Sequence, residues 1–149
     1  MFTYQFPHMA VTVDLVLFHC EDPKPTILLI KRKNNPFENK WAVPGGYVDM
    51  GETIEMAAKR ELLEETGMVV PNIHFFGYFD AIHRDPRERT ISFAFWAQTT
   101  VSKANLKAGD DAGDAKWFEL VDLPNLAFDH MNLVELAVKS LHKYQLDNE

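Results

Sequence analysis

Cysteine is almost missing from this chain: Cys20 is the only one. No internal disulfide can form, and the expectation is a reducing compartment, the cytoplasm. Long apolar runs are missing as well. None approaches the ~20 residues that a membrane-spanning helix needs, so no membrane partner is expected. The N-terminal stretch MFTYQFPHMAVTVDLVLFHCE lacks a positive start and a small-residue cleavage site, and Thr12 and Asp14 interrupt its apolar run. It reads as a strand rather than a signal peptide. Positive charge is in deficit too. A net charge of −7 works against nonspecific binding to nucleic-acid backbones or anionic lipid, and no nucleic-acid partner is expected. An anionic small ligand stays compatible with that charge if a cation or a local arginine cluster receives it. There are no repeats and no low-complexity segments, and His8, His19, His74, His130 and His142 show no zinc-ligand spacing.

What is present suits one compact domain over residues 1–149, with a real core and little room for a second domain. The chain is 46% hydrophobic and carries 11 Phe, 4 Tyr and 3 Trp, too many to read as disordered. Residues 9–19 (MAVTVDLVLFH) and 26–33 (TILLIKRK) read as buried strands, the second a hairpin partner of the first across the turn EDPKP. NNPFENK is a loop and WAVP, 41–44, a short strand. A helix follows from Thr53 to Thr66, with Ile54, Ala58 and Leu62 as its buried stripe and Gly67 placed to cap its C-terminus. Strands within 69–79 and over 90–101 flank a polar segment, 80–89, and another covers 115–120. A last helix, 130–146, aligns Leu133, Leu136, Ala137, Leu141 and Tyr144. Strands, helix, strands, helix make a mixed sheet with packed helices the natural architecture.

The first helix is odd in its chemistry. Glu61, Glu64 and Glu65 share a face. Like charges at that spacing cost roughly 0.2–0.5 kcal/mol per pair. Glu64 and Glu65 also face the negative end of the helix macrodipole, at about 0.3–1 kcal/mol each when exposed. Glu55 with Lys59 fits a solvated helix face; the three acids do not. A divalent cation resolves the conflict, since Mg²⁺ prefers carboxylate oxygens and keeps waters or phosphate oxygens in its other positions. The glycines before the helix let backbone approach closely enough for a carbonyl to join in.

The spacing of these residues resembles a complete Nudix box: Gly46, Glu52, Arg60-Glu61-Leu62, Glu64-Glu65 and Gly67-Met68. The resemblance implies a Nudix hydrolase, an α+β protein with an α/β/α sandwich around a mixed β-sheet. It implies cleavage of a nucleoside diphosphate linked to another moiety, with Mg²⁺ or Mn²⁺ as cofactor. On the matched positions, Glu61, Glu64, Glu65 and the Gly46 carbonyl would hold metal. Arg60 would orient the glutamates, and Glu52 would pair with Arg60 or support the loop. The general base is left open, as one of these glutamates or an acid from a later loop.

Three further segments bear on the substrate. HRDPRERTIS brings Arg84, Arg87 and Arg89 together, either as a solvated connection or as bidentate phosphate ligands. KAGDDAGDAKWFEL offers Asp110, Asp111 and Asp114 as turn formers, or as a metal ligand or base. LPNLAFDH offers Phe128 as core or as a platform for a base, and Asp129 as an N-cap. Arg32 ends the second strand and lies near the site by analogy with this fold. Together these segments resemble the ADP-ribose pyrophosphatase branch, which implies hydrolysis of ADP-ribose to AMP and ribose 5-phosphate, and a homodimer. The chain departs from that branch at Glu88, where a small residue is common, and in having Asp where other loops carry Glu. The rival readings are a house-cleaning nucleoside triphosphate pyrophosphohydrolase and a domain that binds ADP-ribose without cleaving it.

Overall fold

A computed structural model describes residues 1–21, 23–101 and 112–149. Among these residues, seven strands form one mixed sheet: β1 (Ala10–His19), β2 (Thr26–Arg32), β3 (Trp41–Ala42), β4 (Gly45–Tyr47), β5 (His74–Phe79), β6 (Thr90–Thr99) and β7 (Ala112–Glu119). The α-helices among the described residues are α1 (Ile54–Thr66) and α2 (His130–Asp147).

The long apolar strands β1 and β6 run parallel over their whole length, from Ala10 opposite Thr90 to His19 opposite Thr99. On its other side β1 divides its partners. Thr12, Val13 and Asp14 pair with Tyr47, Gly46 and Gly45 of β4, while Phe18 and His19 pair with Ile27 and Thr26 of β2. The expected β1–β2 hairpin therefore forms only at the turn end. The Leu15 N–H bridges the gap to the Pro44 carbonyl at 2.9 Å. β4 had no sequence signal, because three residues opening on two glycines carry no periodicity. It is the element that brings backbone beside α1.

Side-chain alternation along the strands builds two cores. Val13, Leu15 and Leu17 of β1, with Leu28 and Phe95, pack on Ala57, Ala58 and Leu62 of α1. Val16 and Phe18, with Ile27, Leu29 and Trp96, pack on Leu133, Val134, Ala137 and Leu141 of α2. The helices cover opposite faces, and the sandwich expected from sequence is the observed architecture. Asp14 falls on the α2 face, in a strand otherwise apolar from Val13 to Phe18.

Helix α1 starts as its sequence demands. Thr53 is the N-cap, its hydroxyl accepting from the Met56 N–H at 3.1 Å, and Gly67 ends the helix at φ 74°, in the left-handed region. Its buried stripe adds Ala57 to Ala58 and Leu62, whereas Ile54 is only half-buried. On α2, Leu136 proves 39% exposed. The buried face there is His130, Leu133, Val134, Ala137 and Leu141, and Tyr144 meets it from the margin, its ring 5.3 Å from Trp96. Leu136 follows Leu133 by three residues, which carries it to the edge of a stripe that advances by fours. The strand expected within 69–79 begins at His74. Among the described residues, no helix is long and apolar enough to cross a membrane.

Candidate active site

The site lies where β4, the C-terminal half of α1 and the start of α2 meet. The pairing of Gly45 and Gly46 with β1 sets their backbone directly against α1. Glu65 is 6% exposed, and its Oε1 accepts from the Gly45 N–H at 2.8 Å. Glu61 stands over Gly46 so closely that a Cβ there would lie 2.5 Å from its Oε1. Burial pushes the Glu65 carboxyl up to about 8; the Gly45 N–H and Arg32 oppose that rise, and the charges of Glu61 and Asp14 add to it. Burial raises Glu61 as well, against the pull of Arg60.

This corrects the sequence-based account of the acids. Glu65 does not suffer mainly from the macrodipole in water; it suffers from being out of water. Glu64 alone matches the exposed picture. As the side chains stand, no three His, Cys, Asp or Glu among the described residues converge closely enough to hold a metal ion. Gly46, Glu61 and Glu65 do line one cleft, together with Arg32, Tyr47 and Arg87. Two desolvated carboxylates face bare backbone there, Glu61 held by Arg60 and Glu65 by the Gly45 N–H. That donor set fits a hard divalent cation.

Arg60 ties the acids together. Its Nη1 donates to Glu61 at 2.8 Å and to Glu64 at 3.1 Å, and its Nη2 donates to Glu52 at 2.5 Å and to the Tyr47 carbonyl at 2.9 Å. Glu52 also accepts from the Asp49 N–H at 2.8 Å. The Arg60 guanidinium first, and then the Asp49 N–H, pull the Glu52 carboxyl down to about 2. One guanidinium thus fixes the loop before α1 and two glutamates on it. Lysine has no such fork. We expect Arg60→Lys to raise the divalent-ion concentration needed for half-maximal activity by about 10- to 100-fold, read from a metal titration at saturating substrate.

The arginines of 84–89 part company. Arg87 is held by Asp85, at 3.1 Å from Nε and 2.7 Å from Nη2, with its guanidinium 5.4 Å from the Tyr47 ring and 5.7 Å from the Phe128 ring. Arg32 lies over the other part of this wall, 5.0 Å from the Phe128 ring, and its Nε donates to the Pro36 carbonyl at 2.8 Å. Burial and then the neighbouring Arg87 depress the Arg32 guanidinium. Phe128 and Phe37 both adopt positive φ, 52° and 62°, with rings 4.7 Å apart; such strain in bulky residues is typical of functional sites. Arg84 lies deeper and is bidentate to Asp129, at 2.9 and 2.6 Å. Asp129 occupies the N-cap position of α2 but makes no capping bond. Arg89 turns away, donating to the Asp80 carbonyl at 2.9 Å. Asp110 and Asp111 lie outside the described residues, and Asp114 is exposed on β7.

The sequence also concealed part of the site. Asp14 is 6% exposed at the floor of the cleft. It accepts from the Ser92 hydroxyl at 2.5 Å, and His130 Nε2 lies 3.3 Å from it. The Val43 N–H donates to His130 Nδ1 at 3.1 Å, which places the ring proton on Nε2, toward Asp14. A carboxylate inside an apolar strand was the available signal.

Acids backed by glycine backbone, facing arginines and aromatic rings across a cleft, define a protein built to receive a polyanion accompanied by a cation. The comparisons with known proteins narrow that class. Residues 8–137 match the NUDIX domain family. The ADP-ribose pyrophosphatase of Methanocaldococcus jannaschii is 45% identical over 128 residues, which span 86% of this chain and 72% of that protein. The ADPR responsive transcriptional repressor NtrR of Acinetobacter baylyi is 31% identical over 141 residues, 92% of this chain and 56% of the repressor. The NUDIX domain of Shewanella oneidensis NrtR, complexed with ADP ribose, superposes with a TM-score of 0.84 at 33% identity, covering 91% of this chain and 90% of that one. The chain belongs to the NUDIX domain family, and it is a Nudix hydrolase.

Proposed function

We propose that the chain hydrolyses ADP-ribose to AMP and ribose 5-phosphate, using Mg²⁺ or Mn²⁺. The observation that carries this reading is the cleft itself, with Gly46, Glu61 and Glu65 on one wall and Arg32, Arg87 and Phe128 on the other. The kinship with an ADP-ribose pyrophosphatase supports the choice of substrate.

Glu61, Glu65 and the Gly46 carbonyl would hold the ion, with Glu64 joining once it leaves Arg60. A bound divalent ion neutralises the diphosphate and acidifies water for in-line attack. Arg60 orients Glu61 and Glu64, and Glu52 anchors Arg60. Arg32 and Arg87 meet phosphate oxygens, where planar guanidiniums recognise them best. Phe128 and Tyr47 give a flat base an aromatic wall. Water adds to one phosphorus, the P–O–P bridge breaks, and each half of the substrate leaves with one phosphate. Arg89 has no part in this arrangement.

The test is a substrate panel with Mg²⁺, resolved by product chromatography: ADP-ribose, NAD, diadenosine polyphosphates, nucleoside triphosphates and sugar nucleotides. AMP formed chiefly from ADP-ribose is the expected result. Pyrophosphate released chiefly from a triphosphate would replace ADP-ribose hydrolysis with the house-cleaning reaction. The likeness to an ADP-ribose-bound NrtR domain favours one second reading, binding without cleavage; tight binding of an intact ligand in the presence of Mg²⁺ would establish it.

A further inference from the structure

Three consecutive residues ahead of Gly46 are each held through their backbone by a different element. The Val43 N–H donates to Nδ1 of His130, the first residue of α2, at 3.1 Å. The Pro44 carbonyl accepts from the Leu15 N–H of β1 at 2.9 Å. The Gly45 N–H donates to Glu65 of α1 at 2.8 Å. The second anchor is sheet backbone and the third is an acid of the site. The first is a side chain with no role in the arrangement described above.

His130 is set up for this one contact. Its Nε2 lies 3.3 Å from Asp14 Oδ1, and both side chains are buried. The Ser92 hydroxyl donates to the other Asp14 oxygen at 2.5 Å. Burial works to raise the Asp14 carboxyl, but His130, Ser92 and Arg84 outweigh it and keep it low. An ionised acceptor therefore faces Nε2, the ring proton belongs there, and the Nδ1 lone pair faces Val43. Both nitrogens are engaged, so neither is available as a general base. The helix start that carries the ring is itself registered against β3, where the Ala127 N–H donates to the Trp41 carbonyl at 2.8 Å. On the far side, backbone 43–46 presses on β1: a Cβ at Gly45 would meet the Val13 carbonyl and lie 2.7 Å from Asp14 Oδ1. The imidazole is a peg between a fixed helix start and the backbone that leads into Gly46.

Resting on the proposed metal site at Gly46, Glu61 and Glu65, we propose that His130 is a positioning residue for the divalent ion: by holding Val43 it sets backbone 43–46 at the distance from α1 at which the Gly46 carbonyl and the two carboxylates share one ion. His130 acts through Val43 and touches neither ion nor substrate. A histidine that only satisfies a buried N–H would affect stability and leave metal affinity alone.

Two amide variants separate the ring nitrogens. Asparagine can place its side-chain oxygen where Nδ1 stands and keep the Val43 bond. Glutamine reaches the Nε2 position and Asp14 but offers no acceptor at Nδ1. Mn²⁺ binding without substrate, measured by calorimetry where each variant is folded, should weaken by roughly 10-fold or more in His130→Gln and by under about 3-fold in His130→Asn. The Mn²⁺ concentration for half-maximal activity should rise with it in His130→Gln, while KM for ADP-ribose at saturating Mn²⁺ stays unchanged. Wild-type affinity in both variants, whatever their stability, overturns the proposal. Equal weakening in both overturns it too, because the Val43 bond would not be the cause. Wild-type protein gives a second measurement should neither variant fold. Coupling is reciprocal, so saturating Mg²⁺ should slow hydrogen exchange at the Val43 amide by about 10-fold and leave amides in the last turn of α2 unmoved. Unchanged exchange at Val43 with the ion bound overturns the proposal. Wild-type protein that binds no Mn²⁺ strikes the proposed function, and the role of His130 falls with it.

Discussion

Glu65→Gln should abolish most activity, a loss of at least about 100-fold, while making the metal-free protein more stable above neutral pH. Glu65 is buried against the Gly45 N–H with its carboxyl pushed up to about 8, whereas an unfolded chain releases that proton near 4.3. The folded state therefore binds more protons than the unfolded state throughout that window, so stability falls as pH rises from about 4.5 to about 8 and stays low beyond. A shift of this size corresponds to a few kcal/mol as an order of magnitude. Glutamine still accepts from Gly45 and has no proton to lose, so the variant should lack the decline. A saturating divalent ion should flatten the wild-type profile in the same way, because it favours the ionised carboxylate. Denaturant unfolding with EDTA between pH 5 and 9 reads both effects. A variant less stable than wild type at pH 8.5 would refute the desolvated-acid account.

The two adjacent glycines of β4 should fail in opposite ways. At Gly46 an added Cβ meets the Glu61 carboxylate, 2.5 Å from Oε1. That carboxylate is the end of a flexible side chain and can swing aside. Gly46→Ala should fold with a stability change under about 1.5 kcal/mol and lose activity by about 100-fold or more, because the acid is displaced from the cleft. At Gly45 the added atom drives into the backbone carbonyl of Val13 and crowds Asp14. Backbone within a sheet cannot yield cheaply, so Gly45→Ala should cost several kcal/mol, comparable to severe overpacking. Thermal melts beside a single activity assay separate the outcomes. Equal destabilisation of both variants would show that Gly46 is constrained by the fold and not by the site.

Those glycines show how far sequence reasoning reaches. Glu61, Glu64 and Glu65 stood out because their spacing contradicts local helix energetics, and a local contradiction is legible in one dimension. The two helices and the long strands were legible for the same reason, since periodicity is local. The fate of the arginines was not. Arg84, Arg87 and Arg89 look equivalent in the chain, yet Asp129, Asp85 and the Asp80 carbonyl assign them three different positions. Asp129 comes from another element, so nothing nearby announces it. His130 and Asp14 meet only because α2 begins over the α2 face of β1. The burial of Glu65 was hidden too, because β4, which covers it, has no pattern to detect.

The most direct measurement is incubation of the purified protein with ADP-ribose, with Mg²⁺ and with EDTA, followed by both calorimetry and product chromatography. Without an ion, Arg84 and Arg87 are already paired with acids, and Arg60 is shared among Glu52, Glu61 and Glu64. The cleft should bind ADP-ribose weakly with EDTA and convert it to AMP and ribose 5-phosphate with Mg²⁺. Tight binding of ADP-ribose in EDTA, with the ligand recovered intact after Mg²⁺ is added, would contradict the hydrolase account.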